Sequence, residues 1–334
     1  MKDYLVIDVH NHYIPAEVIT RGGVTDGMSI ANAAKSRLQA YQCIRDAECT
    51  LKIMDESGID LTVLSIPQWS SLGLDACKII NNGYREIIQR YPKRFIGCVN
   101  IPLSPEPAVV KELERGVKDL GLKAVALVTS TSTFNLGSDQ LSPLFAKIND
   151  LNLPIVVHPS IRQPLWGGVE YKMSQHISRE YEVAKATVEV LYGWLSKYPD
   201  MKFVMPHFGG GMPSLKGRVA CWFEPAGWDI PANLKGGGKT PRELEELGLD
   251  KAFEEIFGKL YFDMAGFAGW MPIVNSALKT IRTDRLCFGT DYPLDFHGQE
   301  DIKTYIENIK QLDIPEQDKR NILGENARRF FSLD

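Results

Sequence analysis

Histidine and cysteine are both scarce in this 334-residue chain, which carries six of each. The cysteines are scattered and none belongs to a C-x-x-C pair. In a chain of this length, that usage is typical of reduced thiols in a cytosolic protein and argues against a disulfide framework. It also argues against cysteine ligation of a metal. The sequence therefore predicts a cytoplasmic protein.

Long hydrophobic runs and an excess of positive charge are missing as well. The apolar run after Lys2 and Asp3 is too short for a signal segment, and no apolar stretch approaches a membrane span. A net charge of −4 offers no basic footprint for nucleic acid. These absences predict a soluble globular protein that acts on neither membranes nor nucleic acid.

Eight short apolar runs rich in β-branched residues recur along the chain without polar and apolar alternation, which indicates strands buried on both faces of a parallel sheet. The runs cover residues 4–9, 60–66, 94–100, 123–128, 154–158, 202–206, 259–264 and 285–290. Amphipathic stretches separate them, and in one of these Val109, Leu113 and Leu120 share a helical stripe. The alternation predicts a (β/α)8 TIM barrel formed as a single domain over residues 1–334. A doubly wound sheet is the alternative, but it would normally carry a Gly-rich phosphate turn after the first strand.

Three connections are too long to be simple loops. They cover residues 13–45 after strand one, 159–180 after strand five and 212–258 after strand six. Insertions that follow the carboxyl ends of barrel strands build the active-site face, so these three are predicted to supply pocket walls. Trp166 and Phe296 are candidate aromatic residues of the substrate pocket.

Four of the six histidines and one aspartate come at the ends of predicted strands. They are His10 and His12 after strand one, His158 in strand five, His207 after strand six and Asp291 after strand eight. In a barrel, all five side chains would converge on the carboxyl-terminal mouth, where catalytic groups usually lie.

Three neutral imidazoles and one carboxylate suit Zn²⁺ and also tolerate Mn²⁺ or Co²⁺. We therefore predict that His10, His12, His158 and Asp291 hold one divalent metal ion with an exchangeable position for water. His207 is then free beside the metal as a general acid/base. Asp291 is the other candidate for proton transfer, and the sequence does not divide that role between the two.

The H-x-H motif together with "VVHP", "PHFGGGMP", "GTDYP" and "LGENARRFF" resembles the amidohydrolase superfamily. The resemblance covers almost the whole chain and is closest to the branch of 2-amino-3-carboxymuconate-6-semialdehyde decarboxylase and related non-oxidative aromatic-acid decarboxylases. It implies a single-metal barrel with the four ligands above and His207 as the catalytic histidine. Members with two metals carry a lysine at the end of strand four, and "LKAVALVTS" has none at that end.

The resemblance also has implications for substrate binding and assembly. Relatives hold a substrate carboxylate with an arginine on the helix before strand two, where this chain has Thr50. Arg218 matches a basic position that in relatives lies near a neighbouring subunit's site. The resemblance therefore implies a substrate-binding role for Arg218 and a homodimer as the working unit.

The predicted function is a metal-dependent non-oxidative decarboxylase of a small unsaturated or aromatic carboxylic acid. A hydrolase of a lactone or amide is the alternative, because the same metal-bound hydroxide could attack a carbonyl. A hydratase is less favoured, since the hydratases we compare carry Glu in the place of Asp291. A non-catalytic metal-binding protein would have no use for a free His207 beside the metal.

Overall fold

The protein folds around eight parallel strands whose hydrogen-bonded order follows their order in the chain. A computed structural model describes residues 4–21, 43–160, 176–220, 253–296 and 298–333. The strands are β1 (Ile7–His12), β2 (Leu61–Ser65), β3 (Phe95–Asn100), β4 (Ala124–Val128), β5 (Ile155–His158), β6 (Phe203–Met205), β7 (Tyr261–Asp263) and β8 (Leu286–Cys287). Backbone bonds from Val9 N to Phe288 O (3.0 Å) and from Asp291 N to His10 O (2.8 Å) bring the first and last strands together. The predicted (β/α)8 barrel is confirmed.

Helices connect successive strands and cover the outside of the barrel. The described α-helices of five or more residues are α1 (Ala16–Arg21), α2 (Ala47–Ser57), α3 (Leu74–Arg90), α4 (Pro107–Lys118), α5 (Ser142–Asp150), α6 (Ile177–Glu189), α7 (His207–Ala220), α8 (Phe253–Phe257), α9 (Met271–Thr280), α10 (Gln299–Lys310), α11 (Glu316–Arg320) and α12 (Asn326–Phe330). Helix α4 begins at Pro107, which suits a first helical position, and buries Val109 and Leu113 of the predicted stripe. None of the described helices has the length and apolar character needed to cross a membrane.

The interior of the barrel is packed with small and β-branched side chains. The strand residues of this cluster are Ile7, Val9, Val63, Ile96, Cys98, Ala124, Ala126, Val156, Val204 and Cys287. Phe330 and Phe331 from the end of the chain pack against the same cluster. These apolar residues fill the barrel, so the polar residues that end the strands lie at its carboxyl-terminal mouth.

Two details differ from the sequence-based expectations. Strand β1 continues through His12 instead of ending at Val9, so both histidines of the H-x-H motif belong to the strand. The sulfur atoms of Cys43 and Cys49 lie within bonding distance, and the prediction of reduced cysteines throughout is wrong at this pair. The turn into α2 brings the two residues together, with Cα atoms 4.9 Å apart. The central parts of the three predicted insertions lie outside the described residues.

Asp8 joins β1 to the segment that follows β8. Its buried carboxylate accepts hydrogen bonds from the Thr290 backbone N–H (3.0 Å) and hydroxyl (2.6 Å). It also accepts bonds from the His10 backbone N–H (3.1 Å) and the Asn11 amide (3.2 Å). Burial raises the pKa of the Asp8 carboxyl to about 6, although these hydrogen bonds oppose the shift. One side chain therefore fixes the backbone on either side of the barrel seam, next to His10 and Asp291.

Replacing Asp8 with Ala should destabilise the protein strongly, because it leaves several buried donors without an acceptor. Each such donor costs about 1–3 kcal/mol, so we expect the free energy of unfolding to fall by about 3 kcal/mol or more in urea denaturation. Asp75→Ala is the matched control, since Asp75 is 94% exposed and pairs only with Lys78 among the described residues. It should change stability by less than about 0.5 kcal/mol. Equal effects of the two substitutions would show that Asp8 does not hold the seam.

Candidate metal centre

A register shift in β1 turns both histidines of the H-x-H motif toward the barrel mouth. Ile7 and Val9 belong to the interior cluster, so strict alternation along the strand would place His10 and His12 on the opposite face. The pairing of β1 with β2 shifts between Asp8 and Asn11, and such an irregularity re-aims the side chains that follow it. Both imidazoles consequently reach the mouth of the barrel.

Several imidazole nitrogens and a carboxylate oxygen, all of them hydrogen-bond acceptors, face one another at this mouth. The Nδ1 atoms of His12 and His158 lie 3.0 Å from Ser65 O and 2.8 Å from Pro159 O, and because carbonyl oxygens only accept, both Nδ1 atoms donate. In the neutral rings, the Nε2 atoms of His12 and His158 therefore carry no proton and each has a lone pair. They lie 3.3 Å apart, and His12 Nε2 is 2.9 Å from Asp291 Oδ1. Such a group of acceptors needs positive charge among them.

His10 completes the set of candidate ligands. Its Nδ1 bonds to Asp263 Oδ2 at 2.8 Å, which directs Nε2 toward Asp291 Oδ1 at 3.7 Å. The carboxylate partner on the far nitrogen is the support that metal-binding histidines usually have. Ligand atoms from His10, His12, His158 and Asp291 all lie within 4.8 Å of one another, and all four residues are buried. Three nitrogens and one carboxylate oxygen fit a single divalent cation.

Burial and neighbouring charges together raise the pKa of His10 and lower the pKa values of His158 and Asp291. Burial alone would disfavour the charged form of His10, but the carboxylates of Asp263 and Asp291 raise its pKa to about 9. Burial, together with the nearby His12 and His10, holds the pKa of His158 well below its usual range. Burial would raise the pKa of the Asp291 carboxyl, yet the histidines beside it hold it well below the ordinary value. The site therefore keeps Asp291 ionised and His158 neutral, as ligation requires.

His207 lies beside this cluster without joining the ligand set. Its ring stacks on the His10 ring with centroids 5.4 Å apart, and its Nε2 is 3.8 Å from Asp291 Oδ2. Its Nδ1 bonds to Glu180 Oε1 at 2.8 Å, while the buried Nε2 has no hydrogen bond among the described residues. A Cβ atom on Gly266 would come within 2.4 Å of the imidazole, so this position requires glycine. The ring is thus held at Nδ1 and left available at Nε2.

The backbone is strained at two of these positions. His207 and Asp291 have φ values of 52° and 51°, in the left-handed region that residues other than glycine rarely adopt. Asp263 Oδ1 accepts the His207 backbone N–H at 2.8 Å, and the His10 carbonyl accepts that of Asp291. Strain retained by such contacts is typical of functional sites.

Arg179 and Glu180, at the start of α6, bring charge to the edge of the site. Arg179 Nε donates to Glu180 Oε1 at 3.2 Å, and Arg179 Nη1 lies 4.0 Å from Asp291 Oδ2. The Arg179 side chain is 20% exposed, so its guanidinium lies between the ligands and the solvent.

The other predicted site residues have different placements. Arg218 is exposed near the end of α7. Phe296 is buried and stacks on Tyr305 with centroids 5.5 Å apart, beside a cavity of about 350 Å³ that none of the candidate ligands lines. Thr50 is buried in α2 and donates its hydroxyl to Cys43 O at 3.1 Å, a structural contact. Trp166 lies outside the described residues.

Sequence reasoning missed three acidic residues of the site. Asp263 ends β7, and an aspartate at the end of a barrel strand is a signal that could have found it. Asp8 precedes the H-x-H motif within a strand, where a buried carboxylate is unusual. Glu180 carries no such signal, because only the packing of α6 against α7 brings it to His207.

Comparison with known proteins places this site in a family. The amidohydrolase family matches residues 7–333 of the chain. The 2-amino-3-carboxymuconate-6-semialdehyde decarboxylase of Dictyostelium discoideum is 25% identical, with 86% of this chain and 77% of that protein covered. The gamma-resorcylate decarboxylase of a Polaromonas species is also 25% identical, with 85% of this chain and 86% of that protein covered.

A solved structure of 5-carboxyvanillate decarboxylase from Novosphingobium aromaticivorans, complexed with manganese and 4-hydroxy-3-methoxy-5-nitrobenzoic acid, has a TM-score of 0.79 to this chain. The two are 21% identical, and the match covers 99% of this chain and 97% of the other. This likeness shows that the two proteins share the barrel. The family match extends over nearly the whole chain, and the protein therefore belongs to the amidohydrolase family, as the sequence motifs predict.

Proposed function

We propose that this protein is a metal-dependent non-oxidative decarboxylase of a small unsaturated or aromatic carboxylic acid. The observation that carries the proposal is His207, whose Nε2 has no hydrogen bond among the described residues and faces Asp291 across the candidate metal centre. A binding site alone would not need a second titratable group held so close to its ligands. The decarboxylase relatives, at about 25% identity, support this reaction over others of the family.

His10, His12, His158 and Asp291 would hold the divalent cation. When bound, the cation supplies Lewis-acid polarisation of a substrate oxygen or an activated water. Zinc is our first choice from the donor set, and the manganese in the carboxyvanillate enzyme supports Mn²⁺ as an alternative. A homodimeric working unit, a single domain and a cytoplasmic location stay predictions.

His207 and Asp291 would handle the proton in this reaction. Cleavage of the bond between the substrate carbon and its carboxylate releases CO₂, and a proton must take its place on that carbon. Glu180 fixes the Nδ1–H of His207, so the proton to be moved is carried at Nε2. Asp291 Oδ2 lies 3.8 Å from that nitrogen and is the candidate group to exchange the proton with it.

The reaction itself is tested by a product assay on the metal-loaded protein. We would incubate it with a panel of hydroxybenzoates, a carboxymuconate and several lactones, and measure CO₂ release beside hydrolysis and hydration products. Release of CO₂ in equal amount to the decarboxylated acid supports the proposal. Turnover of the lactones without CO₂ release would favour the hydrolase, and addition of water to an unsaturated acid would favour a hydratase.

The affinity for the metal should keep rising with pH above the range in which an ordinary histidine titrates. His10, with a pKa of about 9, is protonated in the metal-free protein at neutral pH and must lose that proton to bind. We expect affinity for Mn²⁺ to rise about tenfold per pH unit at least through pH 8, at a stoichiometry of one ion per chain. Calorimetric titration between about pH 6 and 8.5 measures this rise, where the ordinary histidine pKa would predict a plateau.

Asp263→Asn is the matched variant for this titration. It removes one of the charges that raise the pKa of His10, so the pH-dependent rise in affinity should end at a lower pH. A plateau near pH 6.5 in the parent protein itself, or two ions per chain, would contradict the prediction.

His207→Ala should separate turnover from metal binding. The four ligands remain, so metal content should stay near that of the parent, while turnover should fall about 10²–10⁴-fold for loss of a general acid/base. Metal analysis and rate measurement on the same preparation test both. His10→Ala is the control and should lose metal and activity together. If His207→Ala emptied the site, His207 would be a ligand, and unchanged turnover would remove it from the mechanism.

A further inference from the structure

Arg179 places a positive group at the mouth of the barrel that the proposed chemistry does not use. Its only hydrogen bond to another described residue is the one from Nε to Glu180, so both Nη atoms of the guanidinium lack one. Nη1 is 4.0 Å from Asp291 Oδ2, beyond hydrogen-bond distance. Within the described part of the chain, the outer edge of the guanidinium is therefore left for a ligand, and it offers a planar fork of donors suited to a carboxylate.

The placement of Arg179 beside the candidate ligands decides what it could bind. Asp291 is one of the four groups that would hold the cation, so the guanidinium lies next to the metal ligands. The side chain is 20% exposed, which leaves it accessible to a ligand that enters the mouth. A small molecule in this site would thus meet two positive groups, the cation and Arg179.

We infer that Arg179 is a substrate-binding residue that selects unsaturated or aromatic acids with a second carboxylate, the one that stays on the product. The inference rests on the proposed function, because it assumes that one carboxylate of the substrate leaves as CO₂. A guanidinium bonded to the departing group would lose its ion pair as neutral CO₂ forms, and that loss would raise the barrier. A carboxylate that is retained keeps the ion pair throughout and anchors the ring or chain.

Thr50 is consistent with this assignment. The family resemblance implies that Thr50 stands where relatives hold a substrate carboxylate with arginine. Here the Thr50 hydroxyl is buried within α2 and bonded to Cys43 O and Asp46 O. The Thr50 position therefore offers a substrate no positive charge. Arg179 reaches the same mouth from α6, the helix that follows β5.

The inference is tested by binding of two probes to the metal-loaded protein. Isophthalate carries two carboxylates on one ring, and benzoate carries one. Calorimetry at fixed ionic strength should give the parent protein about a tenfold or greater preference for isophthalate, the value of one charge-assisted bond. Arg179→Gln should reduce this preference to within about threefold and leave benzoate affinity nearly unchanged. Arg179→Lys should keep part of the preference, because lysine retains the charge but loses the fork.

Two further variants separate substrate binding from other effects. Arg90 is exposed at the end of α3, the helix that leads into β3, and lies at the opposite end of the barrel. Arg90→Gln removes one positive charge there and should leave the preference for isophthalate intact. Glu180→Gln keeps an oxygen that can accept the hydrogen bond from Arg179 Nε but removes the charge beside His207, so it should lower turnover without abolishing the preference. Metal content of every variant is measured first.

The outcomes distinguish this inference from the proposed function. A parent protein without preference, or an Arg179→Gln variant that binds both probes equally less well than the parent, would overturn the role of Arg179. The second result would show that the guanidinium merely supports Asp291. A clear Arg179-dependent preference without CO₂ release from any acid tested would remove the decarboxylase and leave the binding assignment standing.

Discussion

Mutual repulsion among the acceptor atoms at the barrel mouth is the constraint on which the rest of this structure depends. Two imidazole nitrogens lie 3.3 Å apart, and one of them is 2.9 Å from a carboxylate oxygen. Water is largely excluded from these buried groups, so the repulsion is strong unless positive charge lies among them. A site that keeps these atoms together without a cation requires rigid support from the surrounding chain.

That support comes from residues that bind the backbone and the far sides of the ligands. The carbonyls of Ser65 and Pro159 fix the orientation of His12 and His158, and Asp263 bonds to both the His10 ring and the His207 backbone. These contacts belong to different strands, so the site forms only when the barrel has closed. The left-handed backbone at His207 and Asp291 is held by the same closure.

The chemistry of the site divides into a part common to the barrel mouth and a part specific to this chain. The four candidate ligands and His207 lie at or just after strand ends, whose positions the barrel fixes. The group proposed to recognise a substrate, Arg179, lies on a helix beside the strand ends, at the start of α6. A shared barrel can therefore keep one kind of chemistry while the identity of the acid changes.

The sequence by itself determined the alternation of strands and helices, and with it the barrel and the clustering of His10, His12, His158 and Asp291. Period and strand-end position are local properties, and the closed barrel brings all strand ends to one face. The position of His207 beside these four residues followed in the same way. The extension of β1 through His12 did not, because its register shift depends on pairing with β2.

Only the tertiary structure decided which groups serve these residues. Asp263 bonds to His10 across more than 250 residues of sequence, and Glu180 bonds to His207 across more than 25. No local sequence pattern relates either pair. The approach of Cys43 to Cys49 depends on the turn into α2, and the guanidinium of Arg179 reaches Asp291 through the packing of α6. Such contacts are set by how helices pack on the closed barrel, since distance in space is independent of spacing along the chain.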